Sequence, residues 1–224
     1  MTMKKMFYRL MTMVLSAAMC LSVLMTGVAH AEETKQDVRF DDVMPGQWYY
    51  SAIEYVVENG YFNGISEELF APDSPMTRAM FVTVLGRFAG VEHAEGKAAI
   101  SVFVDVEPGS YYCEYVGWAV ENGIVQGYSA NIFGYADYVT REQVAVFLYR
   151  YAKMVGLDVT IDRIATTQTF NSGSNASPWA LNAVVWAMNK GIMRGVGNDL
   201  NPQAEVTRAQ VAQIMMNFAI FAGK

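Results

Sequence analysis

Cysteine and histidine are nearly absent from this 224-residue chain, which has two of each. The cysteines are Cys20 and Cys113, and the histidines are His30 and His93. There is no clustered Cys and His for a zinc site, no nucleophile elbow, and no His-Glu pair for metal-assisted hydrolysis. An enzyme is therefore not expected, and neither is a metal or a resident cofactor. A glycosidase, which needs only two carboxylates, is the catalytic class this scarcity leaves open. Basic residues are in the minority, 16 Lys and Arg against 22 Asp and Glu, for a net charge of −6. The overall field repels nucleic acid and anionic polymers, so nucleic acid is not an expected partner and an anion must be met by a local cluster. Sustained strand alternation is missing as well, which points to a mainly all-α fold.

The first 31 residues differ in character from the rest. Lys4, Lys5 and Arg9 make a basic start, Leu10 to Leu24 is mostly apolar, and Ala29-His30-Ala31 is a small-x-small cleavage site. This is the layout of a secretory signal peptide, so residues 1–31 are expected to be removed and the remainder exported without a transmembrane segment. Thr12, Ser16, Ser22 and Thr26 dilute the apolar run and disfavour a retained membrane anchor. Lipidation of Cys20 is an alternative, against which Met19 is bulky where a small residue is expected. The segment holds three of the 16 basic residues and none of the 22 acidic ones, so cleavage lowers the net charge to −9. Only Cys113 then remains, which excludes an intramolecular disulfide. Tyr50 holds the matching position in another part of the chain, so Cys113 reads as a small apolar residue rather than a reactive thiol.

What the chain has in abundance is self-similarity. Thr77-Arg78-Ala79-Met80, Thr140-Arg141-Glu142-Gln143 and Thr207-Arg208-Ala209-Gln210 recur at intervals of 63 and 67 residues. Upstream of each lies a matching phrase, Glu58-Asn59-Gly60, Glu121-Asn122-Gly123 and Asn189-Lys190-Gly191. Phe40, Phe103 and Phe170 open the three copies at the same spacing. A period this long means supersecondary units that share one core, because none buries its apolar face alone.

Each copy predicts two helices. The first is aromatic-rich, running roughly from Trp48 to Glu58 in copy one, with Tyr111, Tyr115 and Trp118 in copy two and Trp179, Val184 and Trp186 in copy three. Gly60, Gly123 and Gly191 follow as left-handed helix stops. Gly64, Gly127 and Gly195 come four residues later, where they serve either a turn or the close approach of another group to the backbone. The second helix carries apolar residues at i, i+3, i+4 and i+7: Phe81, Val84, Leu85 and Phe88, then Val144, Phe147, Leu148 and Tyr151, then Val211, Ile214, Met215 and Phe218. Three such stripes can meet around a pseudo-threefold axis, with the first helices outside. Glu92 to Ser101 and Gly156 to Thr169 fit no periodic pattern and read as linkers.

The threonines have a helix-starting role. Thr140 with Gln143, and Thr207 with Gln210, match the capping box, whereas Met80 leaves Thr77 only half of it. The arginines do not suit their place, since the first turn of a helix already concentrates positive charge. Arg78, Arg141 and Arg208 therefore call for a compensating anion. It is either an internal carboxylate, for which Asp42 and Asp105 are candidates, or a ligand anion at the helix start. A ligand role expects Arg141→Ala to spare stability; a buried ion pair expects the reverse.

The order Phe, Asp, aromatic pair, helix, Gly-Ile-x-x-Gly, loop and Thr-Arg-x-Gln resembles the S-layer homology domain. The likeness spans about Val38 to Phe221, and divides the chain into a signal peptide at 1–31 and repeats at 38–98, 101–162 and 168–224. It implies a trimer of repeats shaped as a three-pronged spindle around a central three-helix bundle. It also implies a secreted protein on the cell wall or S-layer surface. There it would bind a secondary cell-wall polymer noncovalently, often through a pyruvylated amino sugar. The ligand contacts it implies are Arg78, Arg141 and Arg208 with Gly64, Gly127 and Gly195, and Asp42 and Asp105 with Trp48, Tyr111 and Trp179 along the same grooves. Modified peptidoglycan is an alternative wall partner, and a surface protein held by an assembly module is an alternative role. Departures from the pattern are Ser172 in place of aspartate, Met80 after the first Thr-Arg, and Tyr135 where Pro72 and Pro202 stand in the other copies.

Overall fold

The computed structural model describes residues 40–92, 103–161, 175–195 and 200–224. The leading segment with Cys20, the positions of His93, Phe170 and Ser172, and most of both linkers lie outside the described residues.

Among the described residues there are six α-helices and no strand. They are α1 (Tyr50–Glu58), α2 (Arg78–Phe88), α3 (Cys113–Glu121), α4 (Arg141–Met154), α5 (Leu181–Asn189) and α6 (Arg208–Ala222). The threonines start α2, α4 and α6 as the sequence predicts. Thr140 and Thr207 form complete capping boxes with Gln143 and Gln210, while Thr77 accepts only the Met80 N–H. The first helix of each copy is shorter than expected, because no capping side chain stands at its start: Tyr49, Tyr112 and Ala180 lead in through a helical-region turn. Trp48, Tyr111 and Trp179 are consequently left just outside the helices. Gly60, Gly123 and Gly191 do end them, with φ of 70°, 67° and 69°.

All twelve predicted stripe residues of α2, α4 and α6 are buried. At the far end of these helices Phe88, Tyr151 and Phe218 touch one another, with ring centroids 5.2 to 6.0 Å apart. The shorter helices pair across copies: α2 lies against α3, α4 against α5, and α6 against α1. Each pairing joins the second helix of one copy to the first helix of the next, and the third returns to the beginning. The approaches to the long helices follow the same circuit. The Met76 N–H donates to Val206 O, Val206 N–H to Val139 O, and Val139 N–H to Met76 O, at 2.9 to 3.1 Å. Three isolated β-bridges accompany this closed ring, the local loop pairing that short extended segments permit.

The start of the second linker is more than a connector. Leu157, Val159 and Ile161 lie against the core, and the Trp186 indole N–H donates to the Asp158 carbonyl at 3.0 Å. Alternation of these apolar residues with Asp158 and Thr160 is short enough to escape a periodicity reading.

Candidate functional site

The capping threonines bring each following arginine to the next copy. The backbone N–H of Arg78 donates to Asp137 O, that of Arg141 to Ala204 O, and that of Arg208 to Ser74 O. Their side chains then reach the loop of that copy that follows Gly127, Gly195 or Gly64, donating to the carbonyl just before that glycine and to one further along. Arg78 Nε donates to Phe133 O and Nη2 to Gln126 O; Arg141 does the same with Leu200 O and Arg194 O; Arg208 with Phe70 O and Asn63 O. The three residues retain only 2%, 5% and 6% of their exposure.

Neither anticipated counter-ion is the main partner. Carbonyl oxygens of the neighbouring copy hold these guanidinium groups, and the charge carries a desolvation cost. Burial lowers the pKa of all three arginines. Tyr128, Asp137 and Asp105 oppose this at Arg78, and Asp42 and Tyr111 at Arg208. On this geometry Arg141→Ala is expected to cost stability whether or not the site takes an anion, because truncation would strand two carbonyls at an interface between copies. A guanidinium has five N–H donors, and the two carbonyls consume two. No buried side-chain polar atom among the described residues is left without a partner.

Asp42 and Asp105 brace the same loops from behind. Asp42 accepts from the Phe70 and Ala71 N–H groups at 2.9 and 2.6 Å, and Asp105 from Phe133 and Gly134 at 2.8 and 2.7 Å. Burial pushes the Asp105 carboxyl up, but backbone donors from Phe133, Gly134 and Tyr135 outweigh it and hold the group below its ordinary value. These two loops are thus fixed by a carboxylate on their N–H groups and an arginine on their carbonyls.

Close approach, rather than a left-handed turn, explains two of the second glycines. A Cβ on Gly64 would lie 2.4 Å from the Phe40 ring and 2.3 Å from Ser66 O, and one on Gly127 would lie 2.5 Å from Phe103 and 2.4 Å from Ile132 O. The opening phenylalanine of each of these copies fills the space a side chain would need. Gly195 is half-buried at the corresponding place.

The aromatic candidates behave differently from the arginines. Trp48, Tyr111 and Trp179 are 60%, 51% and 59% exposed. Trp48 rests edge-on against Tyr49, and Tyr111 against Tyr112. Burial raises the Tyr111 pKa and Tyr112 adds to this, while Arg87 and Arg208 pull it down. Arg208 of the third copy and Asp42 of the first thus meet on the same Gly64 loop, and Tyr111 of the second copy feels the charge of Arg208.

Sequence reasoning missed three participants. Tyr128 lies over the Arg78 guanidinium at 4.5 Å, and the Asp137 carboxylate is close by. Glu142 is buried, accepting from the Ser177 N–H and hydroxyl at 2.9 Å each. Its signal was a charged residue in the slot held by Ala79 and Ala209. Among the described residues no cluster of His, Cys, Asp and Glu suits a metal, and no helix is long and apolar enough to cross a membrane.

Comparison with known proteins gives this arrangement a family. The S-layer homology domain model matches residues 39–80, 102–145 and 173–212. A surface-layer 125 kDa protein of Lysinibacillus sphaericus is 33% identical over 59% of this chain and 11% of its own length. An exoglucanase XynX of Acetivibrio thermocellus is 28% identical over 81% of the chain and 16% of its own length. A cellulosome-anchoring protein of Acetivibrio thermocellus is 28% identical over 52% of the chain and 26% of its own length. The chain spans about a quarter or less of each of these relatives.

Proposed function

The chain belongs to the S-layer homology domain family, and from that premise we propose that it is a noncovalent anchor at the bacterial cell surface, without enzymatic activity. The six helices among the described residues form a three-pronged spindle, with α2, α4 and α6 as the central bundle and α1, α3 and α5 outside. The cyclic helix pairing and the closed ring through Met76, Val206 and Val139 support this shape. Grooves between copies bind a secondary cell-wall polymer, and the ligand group is the carboxylate of a pyruvylated amino sugar.

One observation carries the reading. Three guanidinium groups are held at equivalent places by carbonyl clamps, and solvent-exposed aromatic rings recur beside the same units. Such a clamp orients the unspent donors without neutralising them, which suits a carboxylate or phosphate. Repeating the Arg208–Tyr111 relation around the circuit brings Trp179 to Arg78 and Trp48 to Arg141. Sugar rings lie favourably on such faces. Gly64, Gly127 and Gly195 contribute loop backbone to these grooves, and Asp42 and Asp105 fix its orientation.

A wall pull-down tests this. The protein is expected to sediment with purified walls, to leave them in chaotrope, and to lose binding after acid extraction of the secondary polymer. Retention on extracted walls would instead assign it to peptidoglycan or to a surface protein. Release of reducing sugar from the wall would refute the non-enzymatic reading.

A further inference from the structure

The three arginine sites are not interchangeable, and the difference between two of them is fully visible. At the Arg208 site the guanidinium lies over Phe70 at 4.5 Å and Phe62 at 5.6 Å. At the Arg78 site Phe133 is the counterpart of Phe70, at 4.7 Å, but Tyr128 adds a ring at 4.5 Å. The residue matching Tyr128 in the first copy is Ile65, which is exposed and makes no such contact with Arg208. Tyr128 also reaches Gln143, whose side-chain amide lies 3.5 Å from the phenol oxygen.

The backbone has been shaped to receive this ring. Gly134 has φ of +77°, and a Cβ there would lie 2.3 Å from the Tyr128 ring. Ala71 holds the matching position in the first copy, with φ of 60°, so a tyrosine at position 65 would meet its methyl group. A second difference is electrostatic. Asp137 stands within reach of Arg78, and its counterpart next to Arg208 is Ser74. The Arg78 guanidinium is therefore covered by a ring, approached by a phenol oxygen and faced by an extra carboxylate. Each of these takes a place, or repels a charge, that an incoming anion requires.

We infer that Tyr128, with Asp137, closes the Arg78 site to carboxylate-bearing sugars and leaves the Arg208 site open to them. This rests on the anchoring function proposed above and assigns a specificity-determining role within it. Tyr128 acts as a built-in occupant, so the chain offers fewer anion sites than its repeat number.

The test exchanges the two sites' exposed residues. Tyr128→Ile with Asp137→Ser gives the Arg78 site the composition of its open counterpart. Ile65→Tyr with Ala71→Gly and Ser74→Asp does the reverse, the glycine providing room for the ring. Calorimetry with a synthetic amino-sugar glycoside bearing a pyruvate ketal reads stoichiometry and affinity on samples whose melting temperatures match the parent. The first variant is expected to gain one bound sugar per chain. The second is expected to lose one, or to weaken it roughly tenfold through like-charge repulsion. Unchanged stoichiometry and affinity in both variants, with the parent binding normally, overturns the closure and leaves the anchoring function standing. Failure of the parent and both variants to bind either the sugar or purified wall overturns the anchoring function, and the closure with it.

Discussion

The arginines that open α2, α4 and α6 and the aromatic residues that precede α1, α3 and α5 recur with equal regularity, yet the fold treats them in opposite ways. Arg78, Arg141 and Arg208 are almost wholly buried and bind the carbonyls of the next copy. Trp48, Tyr111 and Trp179 stay more than half exposed, with Trp48 and Tyr111 resting edge-on against the next tyrosine in the chain. Recurrence in a repeat protein selects for anything every copy needs, and closure of the circuit is one such need. Burial separates the two demands where periodicity does not.

The largest effect expected from this contrast is on stability. Arg141→Ala should cost on the order of 3 kcal/mol, because a buried and a part-buried carbonyl at the interface between copies lose their donor. Denaturant unfolding measures this, and Arg141→Lys should recover only part of the loss, since an ammonium does not reproduce a planar fork. An unchanged midpoint for Arg141→Ala would break the comparison outright. Gly127→Ala comes next, at about 1–3 kcal/mol, through displacement of the Phe103 ring and the Ile132 carbonyl.

A smaller effect sharpens the difference among the helix starts. Thr140→Ala should cost about 1 kcal/mol. Thr77→Ala should cost less, because only one of the two reciprocal bonds exists at that helix. The smallest effect is a pH dependence. The Asp105 carboxyl is held below its ordinary value in the fold, so its contribution is present at neutral pH, above the unfolded-state pKa of ~3.9, and is lost as pH falls through the lower folded value. Asp105→Asn should flatten the acid limb of the stability profile; an unaltered limb would assign acid sensitivity elsewhere.

Local features of this fold were legible in the sequence, and relations between copies were not. The capping boxes at Thr140 and Thr207, the half cap at Thr77 and the buried stripes follow from spacings of three and four residues. The partner of Arg78 is carried by residues 48 and 55 positions away, and that of Arg208 by residues 138 and 145 positions away. The misplaced charge in the first turn was visible, but its answer is a set of backbone oxygens, which no residue type announces. Asp42 and Asp105 were recognised as partners of something; the something proved to be N–H groups of the same copy. Tyr128 was overlooked because its importance depends on Gly134 six residues later and on an arginine from another copy.

The central claim is that the buried arginines close the fold, whereas the exposed aromatic residues serve the ligand surface and contribute little to stability. Its most direct test measures melting temperature and wall sedimentation on one preparation of the Trp48→Ala, Tyr111→Ala, Trp179→Ala variant. The predicted result is a stability change within ~0.5 kcal/mol per substitution, together with loss of sedimentation on polymer-bearing walls. Full sedimentation by this variant, with its melting temperature preserved, would contradict the claim.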